Sequence, residues 1–119
     1  MGEYRLGEIE SRFADIIWAN APLSSRQLAV LAQEELNWKR TTTYTVLKRL
    51  CDRGLFQNQN GTVSTLVSRE EFYAIQSEKF VEDTFEGSLP AFVAAFGSRK
   101  KLSDKEIDQL QSLIDSMRR

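Results

Sequence analysis

Apolar positions recur at helical spacing through the first fifty residues, and then the period changes. Ile9, Phe13, Ile16 and Ile17 follow one another at intervals of 4, 3 and 1, which predicts an amphipathic helix from about Gly7 to Asn20, broken by Ala21-Pro22. Ser24-Ser25-Arg26-Gln27 has the form of a capping box, in which a hydroxyl and an amide satisfy the free N–H groups of a helix start. Leu28, Leu31, Ala32 and Leu36 then form a second helical stripe, and Asn37-Trp38 is a short connection. Val46, Leu47 and Leu50 mark a third helix over Thr41–Gly54, with Lys39 and Arg40 just before it and Gly54 as its stop.

After Gly54 the pattern becomes β-like. Leu55 to Gln59 and Thr62 to Val67 flank Asn60-Gly61, and Asn-Gly between two such runs is the strongest short hairpin signal because both turn positions need φ > 0. Three helices and a hairpin describe a winged helix-turn-helix, so the expected class is mainly α, with a DNA-binding domain over 1–67. Residues 68–119 read as helices again. Ser68 and Ser103 open two more capping boxes, Phe72, Ile75, Phe80 and Phe85 lie on one helix, and Leu89, Phe92, Val93 and Phe96 on the next, with Gly97 as its end. Ile107, Leu110, Leu113, Ile114 and Met117 complete a last amphipathic helix. Short helices are marginal alone in water. Phe80, Phe85, Phe92 and Phe96 therefore call for a cover, and a second copy of the chain is the economical one: 68–119 is expected to be a helical dimerisation domain. A two-fold dimer would also present two reading helices to a two-fold DNA site.

Charge adds to this picture. The net charge is −1, yet residues 39 to 53 hold five basic residues against one acid, Asp52. Hydroxyls on that helix (Thr41, Thr42, Thr43, Tyr44, Thr45) suit base edges, while Lys39, Arg40, Lys48, Arg49 and Arg53 suit phosphates. The hairpin is different: Gln57 to Thr62 has no Lys or Arg, so contact there would rest on Asn58, Asn60 and Thr62, and the plain alternative is a hairpin that only covers the core.

Other chemistry is excluded by what the chain lacks. There is no histidine, hence neither the commonest general base nor the commonest metal ligand; no enzyme activity, metal site or cofactor is expected. The single cysteine, Cys51, permits no internal disulfide and fits a reducing cytoplasm; it reads as a half-buried packing residue before a redox switch. Trp18 and Trp38 read as core, and Glu34-Glu35, Glu70-Glu71 and Glu82-Asp83 as solvated faces. Met1 to Arg5 has no apolar signal segment, and no run of about 18 apolar residues predicts a membrane span.

Leu6-Gly7-Glu8-Ile9-Glu10, Ile16-Ile17-Trp18 and Thr42-x-x-Thr45-x-x-x-Arg49-Leu50-x-x-x-Gly54-Leu55 together resemble the penicillinase-repressor family, which includes the β-lactamase, methicillin-resistance and copper-responsive repressors. The resemblance extends to Leu102-Ser103-x-x-Glu106-Ile107 and covers nearly the whole chain. It implies a homodimer that binds double-stranded, pseudo-palindromic operators with TACA/TGTA-like half-sites and represses transcription. By the same resemblance Thr41, Tyr44 and Thr45 face base edges, and Lys39, Arg40, Thr42 and Lys48 lie near phosphates. Arg49 falls where arginine is usual, either to brace the helix or to contact phosphate. The dimerisation surface implied is Phe80, Phe85, Leu89, Phe92, Val93, Phe96, Ile107, Leu110 and Ile114.

Two departures bear on regulation. Antibiotic-responsive members are cleaved at an Asn-Phe bond by a membrane metalloprotease sensor, and the matching bond here is Ala95-Phe96. Copper-responsive members carry a C-terminal cysteine cluster, which Ser116-Met117-Arg118-Arg119 does not supply. Two rival readings stay open: a winged-helix module that binds protein and no DNA, and a repressor relieved by a small molecule in a pocket among Phe80, Phe85, Phe92 and Phe96.

Overall fold

The computed structural model describes residues 6–118; Met1 to Arg5, read above as lacking a signal segment, and Arg119 lie outside the described residues. Six helices and a small sheet follow in the order α1 (Glu8–Asn20), β1 (Leu23–Ser24), α2 (Ser25–Leu36), α3 (Arg40–Asp52), β2 (Phe56–Gln59), β3 (Thr62–Thr65), α4 (Arg69–Phe85), α5 (Leu89–Arg99) and α6 (Asp104–Ser116). This is a mainly α winged helix followed by further helices. The chain divides into two compact units, Met1–Ser77 and Glu78–Arg119, and the division falls inside α4.

In the first unit the capping chemistry fixes the helix starts. The Ser24 hydroxyl accepts the Gln27 N–H at 2.9 Å while the Gln27 side chain accepts the Ser24 N–H at 3.1 Å, closing the box expected there. Asn37 ends α2 in the left-handed region at φ 58° and turns the chain into α3. Helix α3 begins at Arg40, one residue earlier than its apolar stripe predicts, after an extended Lys39 that supplies no side-chain cap, and gives way to Gly54 at φ +85°. Asn60 and Gly61 turn the hairpin with φ of 53° and 84°, as an Asn-Gly turn requires.

The sheet has three strands in the order β1-β3-β2, all antiparallel, with Leu23 opposite Val63 and Asn58 opposite Val63 on the other side. Strand β1 is not foreseen in the sequence: two residues carry no period, and its existence depends on pairing with β3. The core combines Phe13, Ile17, Leu28, Leu47, Leu50, Leu55, Phe56, Val63 and Phe72. Ile9, placed on the same predicted stripe as Phe13, stays 47% exposed; burial on α1 starts at Phe13. Trp18 donates its indole N–H to the Val67 carbonyl at 3.0 Å and packs its ring on Phe56 and Phe72, and Trp38 packs on Phe13. Phe72, read as part of the C-terminal half, is fully buried in this core, so the first turns of α4 belong to the first unit.

In the second unit Ser88 caps α5 and Ser103 caps α6, the latter with Glu106 completing the box. Gly97 does not end α5. The helix continues to Arg99, because a glycine with ordinary helical neighbours weakens a helix by about 1 kcal/mol without forbidding it. No helix among the described residues is long and apolar enough to cross a membrane.

Candidate nucleic-acid interface

Helix α3 has two faces set by its sequence. Thr43, Val46, Leu47 and Leu50 point into the core. Thr41, Thr42, Tyr44, Thr45, Lys48 and Arg49 are exposed. Thr43 is thus withdrawn from the hydroxyls offered by the sequence: it is fully buried and donates to the Lys39 carbonyl at 3.3 Å. Thr41, Tyr44, Thr45 and Lys48 lie at intervals of three and four, on one outward face. A helix of this size fits the major groove, where such side chains meet base edges.

The hydroxyl of Thr45 donates to the Thr41 carbonyl at 2.9 Å, which leaves its lone pairs free to accept and its methyl free to pack. Lys48 pairs with Asp52 at 3.1 Å, but both side chains are largely in solvent, so that pair is weak and easily exchanged. Lys39 and Arg40, at the start of α3, are exposed and form no ion pair with a described residue. Asn58, Asn60 and Thr62 are exposed on the hairpin, whose tip is fixed by the Ser25 N–H donating to the Gly61 carbonyl at 2.8 Å. These residues bring a row of uncharged donors and acceptors to the wing.

Arg49 is engaged within the protein. It donates to the Glu10 carboxylate at 2.9 Å, and Arg53 lies 3.8 Å from the other oxygen of the same carboxylate. Glu10 also accepts the Gly7 N–H at 3.3 Å. Partial burial pushes this carboxyl up, but the Arg49 hydrogen bond, the Gly7 N–H and the two cations outweigh it and hold the group below its ordinary value. Sequence spacing gives no sign of this cluster, since Glu10 and Arg49 are 39 positions apart. For Cys51, half-buried on α3, burial and then the Asp52 charge push the thiol up, which disfavours the reactive thiolate. Among the described residues no group of three or more His, Cys, Asp or Glu could hold a metal ion.

The second unit carries the other set of expected residues. Phe80, Phe85 and Phe92 meet edge to face at 5.6–6.0 Å, and Phe96 joins Phe92 at 6.4 Å. Phe80, Leu89, Val93, Phe96, Ile107, Leu110 and Ile114 are nevertheless between 39% and 56% exposed, while Phe85 and Phe92 are half-buried. No described residue from 78 to 118 is fully buried. Phe92, Val93, Phe96, Leu102, Leu110 and Leu113 line an open apolar cleft of about 390 Å³ between α5 and α6. The Ala95-Phe96 bond lies inside α5, where the Ala95 carbonyl accepts the Ser98 hydroxyl at 2.8 Å and the Phe96 carbonyl accepts the Lys100 N–H at 3.0 Å.

A winged helix with a polar and basic face on α3 defines a DNA-binding regulator of transcription as the class. The chain belongs to the penicillinase repressor family, whose profile matches residues 6–116. It is 22% identical over 116 residues to the methicillin resistance regulatory protein MecI of Mammaliicoccus sciuri, covering 94% of each chain, and equally to that of Staphylococcus aureus. It is 21% identical over 115 residues to the penicillinase repressor of Bacillus licheniformis, covering 93% of this chain and 90% of that one. The family is one of transcriptional repressors, not of enzymes.

Proposed function

We propose that the chain is a cytoplasmic, non-enzymatic repressor that acts as a homodimer on a pseudo-palindromic operator. Residues 1–67 would bind DNA and 68–119 would hold two copies together. The observation that carries this reading is the outward row Thr41, Tyr44, Thr45 and Lys48 on α3, opposite a fully docked apolar stripe and beside a hairpin wing. Thr41, Tyr44 and Thr45 would read bases; Lys39, Arg40, Thr42 and Lys48 would take phosphates; Asn58, Asn60 and Thr62 would add uncharged contacts from the wing. Dimerisation through Phe80, Phe85, Leu89, Phe92, Val93, Phe96, Ile107, Leu110 and Ile114 would cover the exposed apolar faces of α4 to α6. The names of its relatives support a role in antibiotic-responsive repression.

Relief by proteolysis at Ala95-Phe96, by a membrane metalloprotease sensor, fits the placement of that bond in the same unit. Because the bond is helical, α5 would have to unwind locally before a protease could bind it extended. A second reading, relief by an apolar small molecule, is supported by the cleft between α5 and α6, although of the four phenylalanines expected to form a pocket it takes in Phe92 and Phe96 but not Phe80 or Phe85, whose rings pack on Phe92 instead. A thermal-shift ligand panel separates the two. The test of the main reading is fluorescence anisotropy with DNA from upstream of the protein's own gene, over a salt series, against a scrambled duplex. Preferential, salt-dependent binding by a dimer is the expected result. Equal weak binding, or none, by an intact dimer would favour a protein-interaction module.

A further inference from the structure

We infer that Glu10 is a positioning residue for DNA reading, and that Arg49 serves this brace and not a phosphate. The inference rests on the proposal that α3 reads DNA. One carboxylate joins three places: the Gly7 N–H at the start of α1, Arg49 at 2.9 Å in the last turn of α3, and Arg53 at 3.8 Å, the residue that follows α3. Glu10 comes from the first turn of α1, so the brace spans two helices that are far apart in sequence.

The placement separates two tasks along α3. Thr41, Tyr44 and Thr45 occupy its first half, and Arg49 and Arg53 its end. Arg49 and Arg53, four apart, share a flank set to the side of the row Thr41, Tyr44, Thr45 and Lys48. Fixing the far end of a rod sets the angle of its near end. Hydrogen bonds to base edges tolerate only a few tenths of an ångström and weaken steeply with angle, so that angle decides whether the hydroxyls meet their partners. The pair is also partly shielded: the Glu10 side chain is 21% exposed, which keeps the interaction from being fully screened by salt. Charge follows the same division. Glu10 offsets one of the two charges of Arg49 and Arg53, and Lys39, Arg40 and Lys48 are the cations at and on α3 that lie outside this cluster.

A double-mutant cycle tests this in the full-length dimer, with wild type, Glu10→Gln, Arg49→Gln and the double variant titrated against upstream and scrambled duplexes over a salt series. The brace predicts that each single change lowers the preference for the upstream duplex by up to about fivefold, and that the double variant is no worse than either. Arg49→Gln should leave the salt slope unchanged. Glu10→Gln should steepen the slope on scrambled DNA, by up to about one unit per protomer, because it releases a cation. A phosphate role for Arg49 predicts the opposite: equal weakening on both duplexes, a slope shallower by about one unit per protomer, and additive losses in the cycle. That result would overturn the inference while leaving the DNA reading intact. Wild-type protein without preference for the upstream duplex would overturn the DNA reading and the inference with it. Arg49 is 53% exposed, so its arm of the cycle stands even where Glu10→Gln folds poorly.

Discussion

Thr45 and Thr43 are two positions apart and have the same side chain, yet only one of them can serve DNA. Thr43 is sealed in the core, whereas Thr45 stands outside with its hydroxyl proton already committed to the Thr41 carbonyl. Thr45 can therefore accept from a base amino group or pack its methyl on a thymine, but it is poorly placed to donate. Thr45→Ala and Tyr44→Ala are expected to lose about 1–3 kcal/mol of discrimination between upstream and scrambled DNA while light scattering still finds a dimer. Lys48→Ala should weaken both duplexes alike and lower the salt slope by about one unit; an unchanged slope would exclude a phosphate contact. Glu10 makes a separate prediction about acid. Its folded-state value lies below the ordinary 4.5, so the native state binds fewer protons than the unfolded chain and the pair's contribution is complete at neutral pH. The stability difference between wild type and Glu10→Gln, about 1 kcal/mol at most for a pair whose arginine is half in solvent, should be constant down to pH 4.5 and shrink as the pH falls through the lower folded value. Urea melts across that range would measure it.

Elements were legible wherever a local rule decides them. The capping boxes at Ser24 and Ser103 and the Asn60-Gly61 turn are written in adjacent residues, and the structure contains each of them. A methyl group placed on Gly54, at φ +85°, would meet nothing within 4 Å, so the cost of Gly54→Ala is backbone strain alone. It should lower stability by more than about 1 kcal/mol, as should Gly61→Ala at φ +84°, in thermal melts. Ser103→Ala, which removes an acceptor from the Glu106 N–H, should cost about 1 kcal/mol. What the sequence hid depends on distant partners. Strand β1 exists because Leu23 and Ser24 find β3. Ile9 fits the helical stripe but lies a turn ahead of the first buried residue. The Glu10 cluster at the candidate site needs the fold to bring α1 and α3 together, and counting charge along the chain near α3 misses the one negative charge that Glu10 sets against Arg49 and Arg53.

For the molecule as a whole, the contrast between the two units is the guide. The first has a buried apolar core; Phe72→Ala, which empties a fully buried ring position, should cost about 3–5 kcal/mol. The second has aromatic contacts but no fully buried described residue, as expected of half an interface. Phe96→Glu is expected to shift the protein to monomer in light scattering and to weaken operator binding by at least about tenfold, with the first unit's fold unchanged by circular dichroism. Helix α4 passes through Ser77, the last residue of the first unit, without a break. Extending a helix adds one hydrogen bond for each residue fixed, whereas restarting it repeats an unfavourable nucleation. Heat should therefore melt the two units in a linked transition, and Ser77→Pro, by interrupting that propagation, should resolve the calorimetric trace into two.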